Sequence, residues 1–99
     1  MRAEKLRKLS TSPLGNPTRL AIALYLLSRE RSTFIEIAKA LKMTPGNVEF
    51  HLKALEKAGI VRTYYGFGKR PRKFVELTEE GIEELEKALK ILREVVGGD

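Results

Sequence analysis

Thr44-Pro45-Gly46-Asn47-Val48-Glu49-Phe50-His51-Leu52-Lys53-Ala54-Leu55-Glu56-Lys57-Ala58-Gly59 opens on a hydroxyl residue followed by proline and closes on glycine. A threonine hydroxyl can accept from the first free backbone N–H groups, and proline fits the first helical position. Glycine ends a helix in the left-handed region. A helix is therefore predicted from Pro45 to about Ala58. At about 100° per residue, Val48, Leu52 and Leu55 fall within about 60° of one another and define a core side. Gly46, Phe50, Lys53, Ala54 and Lys57 lie opposite, with Asn47 beside them.

Upstream, Thr33 and Glu36 form a capping box for a shorter helix whose inner face is Phe34, Ile37, Ala38 and Leu41; Lys42 and Met43 make a tight connector. Before that, Asn16-Pro17 caps a helix containing the charge-free run from Leu20 to Leu27, apolar nearly all round and expected to be the central buried one. Residues 3–10 can form a short helix with Leu6 and Leu9 on one side, ended by Ser12-Pro13-Leu14-Gly15. Downstream, Ile60 to Tyr65 and Lys73 to Leu77 carry β-branched and aromatic residues around a glycine-containing basic tip, which predicts a hairpin. Thr78, Glu79 and Glu80 then open a long last helix, with acids where the helix dipole favours them.

This order predicts a mostly α fold with a small β-hairpin, a winged helix-turn-helix flanked by N- and C-terminal helices. The 99 residues are read as a single domain. Its parts are an N-terminal helix and turn (1–14), the helix-turn-helix core plus wing (15–78), the dimerisation helix (79–96) and a frayed tail (97–99).

Charge is unevenly placed. Of 19 basic and 13 acidic residues, the first 78 positions hold 16 and 6, a net +10, and the last 21 hold 3 and 7, a net −4. A basic body and acidic tail point to a polyanion meeting the body. No helix is apolar on one face and lysine-rich on the other, so double-stranded DNA is favoured over membrane lipid. No apolar run approaches the roughly 20 residues needed to cross a bilayer, and the first residues lack a signal peptide's apolar stretch; the expectation is a soluble, cytoplasmic protein. Cysteine is absent and histidine occurs once, which excludes a disulfide framework, a thiol nucleophile and a Cys/His zinc cage. An enzyme would need a nucleophile–base pair or a metal cluster, so no enzyme and no cofactor are expected. Gln and Trp are also absent while Lys, Arg and Glu abound, the bias of a hyperthermophile's protein.

The candidate DNA-binding set is Thr44, Pro45, Gly46, Asn47, Phe50, His51, Lys53 and Lys57 on the predicted recognition helix, with Arg62, Lys69, Arg70, Arg72 and Lys73 in the wing. Gly46 admits close approach to the DNA backbone, and Lys53 and Lys57 reach phosphate. The Asn47 amide has the two-point chemistry that pairs with adenine's edge, and Phe50 can meet a thymine methyl. Competing readings stand beside each. Asn47 can serve in local capping, Phe50 can cover the wing's base or a partner subunit, and His51 can pack against the core. The lysines can simply be solvated. In the wing, five basic residues and no acid lie between Arg62 and Lys73, and Pro71 holds its neighbours extended, so a guanidinium can enter a minor groove.

Ile82, Leu85, Leu89, Leu92 and Val96 step by 3, 4, 3 and 4, a heptad seam, and Ala88, Ile91 and Val95 add a second stripe. One stripe can cover the domain and the other needs a partner, most simply the same helix of a second copy. The predicted dimer interface is Leu6, Leu9, Ile82, Leu85, Leu89, Leu92 and Val96. Glu79, Glu80, Glu83, Glu84 and Glu86 form a solvated outer face.

The stretch from Gly15 to Gly81 resembles the MarR/ArsR-type winged-helix transcriptional regulators, especially the small archaeal and bacterial branch. The matching pieces are Asn16-Pro17-Thr18-Arg19-Leu20, Thr44 to Val48, His51-Leu52, Leu55 to Val61, Arg70-Pro71-Arg72 and Leu77-Thr78-Glu79-Glu80-Gly81. The resemblance implies a homodimeric DNA-binding regulator paired through its terminal helices. Metal-sensing ArsR members use paired cysteines or a His/Asp/Glu set, which this chain lacks, so no metal is implied. Many MarR members bind a small molecule between dimer helices and DNA lobe; no residue here marks such a site, and any effector is unidentified. The resulting expectation is a sequence-specific, homodimeric transcriptional regulator. The rival is a winged-helix protein–protein interaction module in a transcription-related assembly.

Overall fold

Asn16 Oδ1 accepts from the backbone N–H groups of Thr18 (2.9 Å) and Arg19 (3.1 Å), so the first core helix starts where the Asn-Pro pair placed it. The computed structural model describes residues 2–67 and 70–97. In chain order it comprises α1 (Arg2–Thr11), α2 (Pro17–Leu27), β1 (Ser32–Thr33), α3 (Phe34–Leu41), α4 (Pro45–Lys57), β2 (Val61–Gly66), β3 (Arg72–Leu77) and α5 (Glu79–Gly97). No helix among the described residues is long and apolar enough to cross a membrane.

The helix-turn-helix is built from three local devices. Thr33 caps α3 in a full capping box, its hydroxyl accepting from Glu36 N–H (3.2 Å) while the Glu36 carboxylate accepts from Thr33 N–H (2.9 Å). These bonds to the charged form, backbone first, hold the Glu36 carboxyl below its ordinary pKa. Lys42 adopts the left-handed conformation (φ 52°) and turns the chain towards α4, whose first turn is capped by Thr44 Oγ1 accepting from Asn47 N–H (3.2 Å). Gly59, at φ 78°, ends α4.

Val48, Leu52 and Leu55 are all fully buried, as the wheel of α4 required. They join Leu14, Ile22, Ala23, Leu26, Ile37, Ile60, Val61, Val75 and Leu85 in one core. The end of that core is locked by Thr78, whose hydroxyl donates to Gly59 O (2.6 Å) and accepts from Gly81 N–H (2.9 Å). A Cβ on Gly81 would stand 2.0 Å from the Ile60 carbonyl oxygen, so only glycine lets α5 sit this close to the start of β2.

Two expectations need correction, and a third, the hairpin, forms as expected but is extended. α2 is not buried all round: Ile22, Ala23 and Leu26 are, but Leu24, on the far side, and Leu27, at the helix end, are 39% and 48% exposed. A domain this small surrounds a helix on one side only. The hairpin belongs to a three-stranded antiparallel sheet of order β1-β3-β2, with Ser32 opposite Val75 and Thr33 opposite Phe74. Finally, Leu85 does not belong to a surface seam. It is 1% exposed within its own chain, because α5 packs on α1, α2 and β3, and Leu89 also lies against that core. Of the expected dimer residues, Leu9 is likewise packed against the core, while Leu6, Ile82 and Val96 remain on the surface and Leu92 is half-buried. The Lys5–Glu94 ion pair joins the start of α1 to the end of α5, and the ammonium holds the Glu94 carboxyl below its ordinary pKa.

Candidate nucleic-acid interface

Burying Val48, Leu52 and Leu55 turns the opposite side of α4 outwards. Thr44, Pro45, Gly46, Asn47, Phe50, Lys53 and Lys57 are all exposed, and Phe50 is 65% exposed despite being apolar. A Cβ on Gly46 would meet nothing within 4 Å, so no packing inside the chain requires glycine there. The Asn47 backbone N–H is taken by the cap, while its side chain lies at the surface. Two acids flank this face. Glu49 pairs with Lys53 one turn away (3.3 Å), and Glu56 accepts from Thr63 Oγ1 (2.6 Å), joining the flank of α4 to β2. The Lys53 ammonium therefore does not stand alone.

His51 is half-buried rather than fully outward. Arg19 on α2 donates its Nε–H to His51 Nδ1 (3.2 Å), and the Phe50 ring meets the imidazole edge-on at 5.2 Å. Burial, and then the nearby Arg19 charge, push the His51 pKa below its ordinary value. Arg19 is a neighbour of this candidate residue that sequence reasoning missed; it lies 32 positions from His51, beyond any local pattern.

In the wing, Arg70 and Arg72 are exposed, and Lys73 lies with its ammonium 5.2 Å from the Phe34 ring centre. Lys69 falls outside the described residues. Arg62 is not an uncompensated cation. The strand register sets it opposite Glu76, and their side chains form an ion pair. Glu76 lies just beyond the acid-free stretch from Arg62 to Lys73, and the hairpin register folds it back onto Arg62. Arg70 to Lys73 face Thr33 to Glu36 and Lys39 of α3 across a surface cleft of ≈ 560 Å³. Arg31, also missed, stacks its guanidinium 4.1 Å from the Phe74 ring centre at the wing's base. Exposed basic side chains thus stand on both α4 and the wing. Among the described residues there is no cluster of three metal-ligating side chains.

Residues 18–96 match the family described as the winged helix DNA-binding domain. The chain belongs to this family. A transcriptional regulator homologue from Pyrococcus horikoshii OT3 is 43% identical and superposes with a TM-score of 0.90 over 96% of both chains. MepR of S. aureus, solved as a complex with DNA, is 25% identical with a TM-score of 0.75, covering 94% of this chain and 80% of MepR. YusO from Bacillus subtilis, at 20% identity and a TM-score of 0.81, shares the fold; the chain spans 65% of its length. No curated protein matches the chain. The resemblance to MarR-type regulators stands, and the chain has the winged-helix fold of DNA-binding transcriptional regulators. The charge-rich, Gln-free composition fits a Pyrococcus relative.

Proposed function

We propose that this winged-helix protein is a sequence-specific transcriptional regulator that binds double-stranded DNA as a homodimer. α4 enters the major groove, and the wing lies on the flanking backbone or in the minor groove. The observation that carries this reading is the two-sidedness of α4. Its inner residues are fully buried, while Thr44, Pro45, Gly46, Asn47, Phe50, Lys53 and Lys57 stand outwards in a fold that MepR presents in complex with DNA. The division of labour follows from chemistry. Lys53, Lys57, Arg70, Arg72 and Lys73, with Lys69 beside them in sequence, supply charge to phosphate. Asn47 and His51 supply hydrogen-bonding groups, and Phe50 an apolar contact, to base edges. Arg62, already paired with Glu76, contributes less.

The dimer reading rests on apolar surface along α1 and α5. Leu6 is 46% and Val96 83% exposed, with Ile82 and Leu92 on the same pair of helices. Leu9 and Leu89 support these from the core side, and Leu85 is left out. A two-fold dimer places its recognition helices in half-sites about 34–36 Å apart. Recovery of bound genomic fragments followed by footprinting tests the whole reading. Two protected half-sites one helical turn apart are expected. Failure to retain any fragment at low salt, with capture of a specific acidic protein instead, would replace the regulator by an interaction module.

A further inference from the structure

Arg19 can only donate, so the nitrogen that receives its Nε–H, His51 Nδ1 at 3.2 Å, carries no proton. The neutral imidazole must then hold its proton on Nε2. The ring's plane is set from the other side by the edge-on Phe50. His51 lines a surface cleft of ≈ 430 Å³ with Pro17, Thr18, Ala21, Leu41, Met43 and Asn47, none of which is ionisable. Arg19 is therefore the charged group identified against His51, and the imidazole shares its cleft with the Asn47 amide.

We infer that Arg19 is a positioning residue for DNA recognition: it fixes His51 as the tautomer that donates from Nε2, so that α4 offers a defined hydrogen-bond donor beside Asn47. The inference rests on the DNA-binding reading above. A free imidazole exchanges its proton between two nitrogens and can present either a donor or an acceptor, which blurs discrimination between base edges or phosphate oxygens. A fixed donor does not. The bond also ties the first turn of α2 to the middle of α4, so the recognition helix is held by a helix outside the helix-turn-helix pair.

The test uses the full-length protein, a duplex selected by the wild type from random oligonucleotides, and a scrambled duplex. Nitrogen-correlated NMR of the imidazole in the free protein should show protonation at Nε2 in the wild type and a mixture of tautomers in Arg19→Ala, with the His51 titration moving up towards the ordinary value of about 6.5. Preference for the selected over the scrambled duplex should fall about tenfold in Arg19→Ala, the size of one lost hydrogen bond. Arg19→Lys should not rescue it, because lysine places a methylene where Nε stands. In a His51→Gln background, whose amide supplies a donor near the Nε2 position, Arg19→Ala should change the preference little. An unchanged tautomer and preference in Arg19→Ala and Arg19→Lys, with normal wild-type binding, would overturn this inference alone. A wild type that enriches no duplex from the random pool at low salt would overturn the DNA reading with it, whatever the tautomer.

Discussion

α4 and α5 are both amphipathic helices that bury residues three and four positions apart, yet they leave opposite surfaces to solvent. α4 ends its burial at Val48, Leu52 and Leu55 and turns out small, amide and basic groups, with one aromatic ring. α5 buries Leu85 and Ala88, then continues its apolar stripe to Val96, beyond what this chain covers, and fills its outer side with glutamates. A buried stripe tells which side of a helix meets its own chain. The residue types on the remaining surface tell what else it can meet: a polyanion for α4, and an apolar neighbour for α5.

The contrast can be broken first at the joint where α5 meets the end of the α4 segment. Gly81→Ala drives a Cβ onto the Ile60 carbonyl and should cost about 3 kcal/mol in denaturant unfolding. A near-neutral result would show that α5 is not seated where it is placed. Next, Asn47→Ala should relax base preference at one position by about 1–3 kcal/mol, read by selection from random oligonucleotides, without loss of stability. Recovery of the same motif by both proteins would reduce Asn47 to a capping neighbour. Val96→Glu puts a charge on the exposed end of the α5 stripe and should shift sedimentation towards monomer while leaving the monomer fold intact, since Val96 is 83% exposed. An unchanged sedimentation coefficient would move the dimer contact elsewhere.

Two of the wing arginines sharpen the comparison further. Arg72→Ala should lower the slope of log affinity against log salt by about 1. Arg62→Ala should lower it less, because Glu76 already pairs with that side chain. Equal slopes would mean that the ion pair opens on DNA. The smallest expected effect is on pH. The His51 pKa is depressed in the folded protein, so the unfolded chain binds a proton more readily. Stability from this group is complete above about 6.5 and is lost as pH falls through the folded value. Unfolding titrations of the wild type against His51→Gln should differ in that window and nowhere above it.

The helix ends were legible because each is set by residues a few positions apart: Asn16 with Pro17, Thr33 with Glu36, Thr44 with Pro45, and Gly59 alone. So was the inner face of α4, since periodicity reports directly on burial. β1 was not, because a two-residue strand has no alternation to read and its Thr33 doubles as the α3 cap. Periodicity also could not say how far neighbours reach around a helix, which is why Leu24 and Leu27 turned out exposed and Leu85 enclosed. The Arg19–His51 bond depends on the packing of α2 against α4, which no local pattern carries. The Arg62–Glu76 pair lay within reach, once residues were counted across the hairpin rather than along it.

The central claim is that the outward side of α4 and the cationic wing form one DNA-facing surface. The natural chain contains no cysteine, so Gly46→Cys and Arg72→Cys each give a single attachment point for a DNA-cleaving iron chelate. On the selected duplex, cleavage from position 46 should fall inside each half-site and cleavage from position 72 on its outer flank, with both patterns related by the same two-fold axis. Cleavage from only one of the two positions, on a duplex that both labelled proteins still occupy, would contradict it.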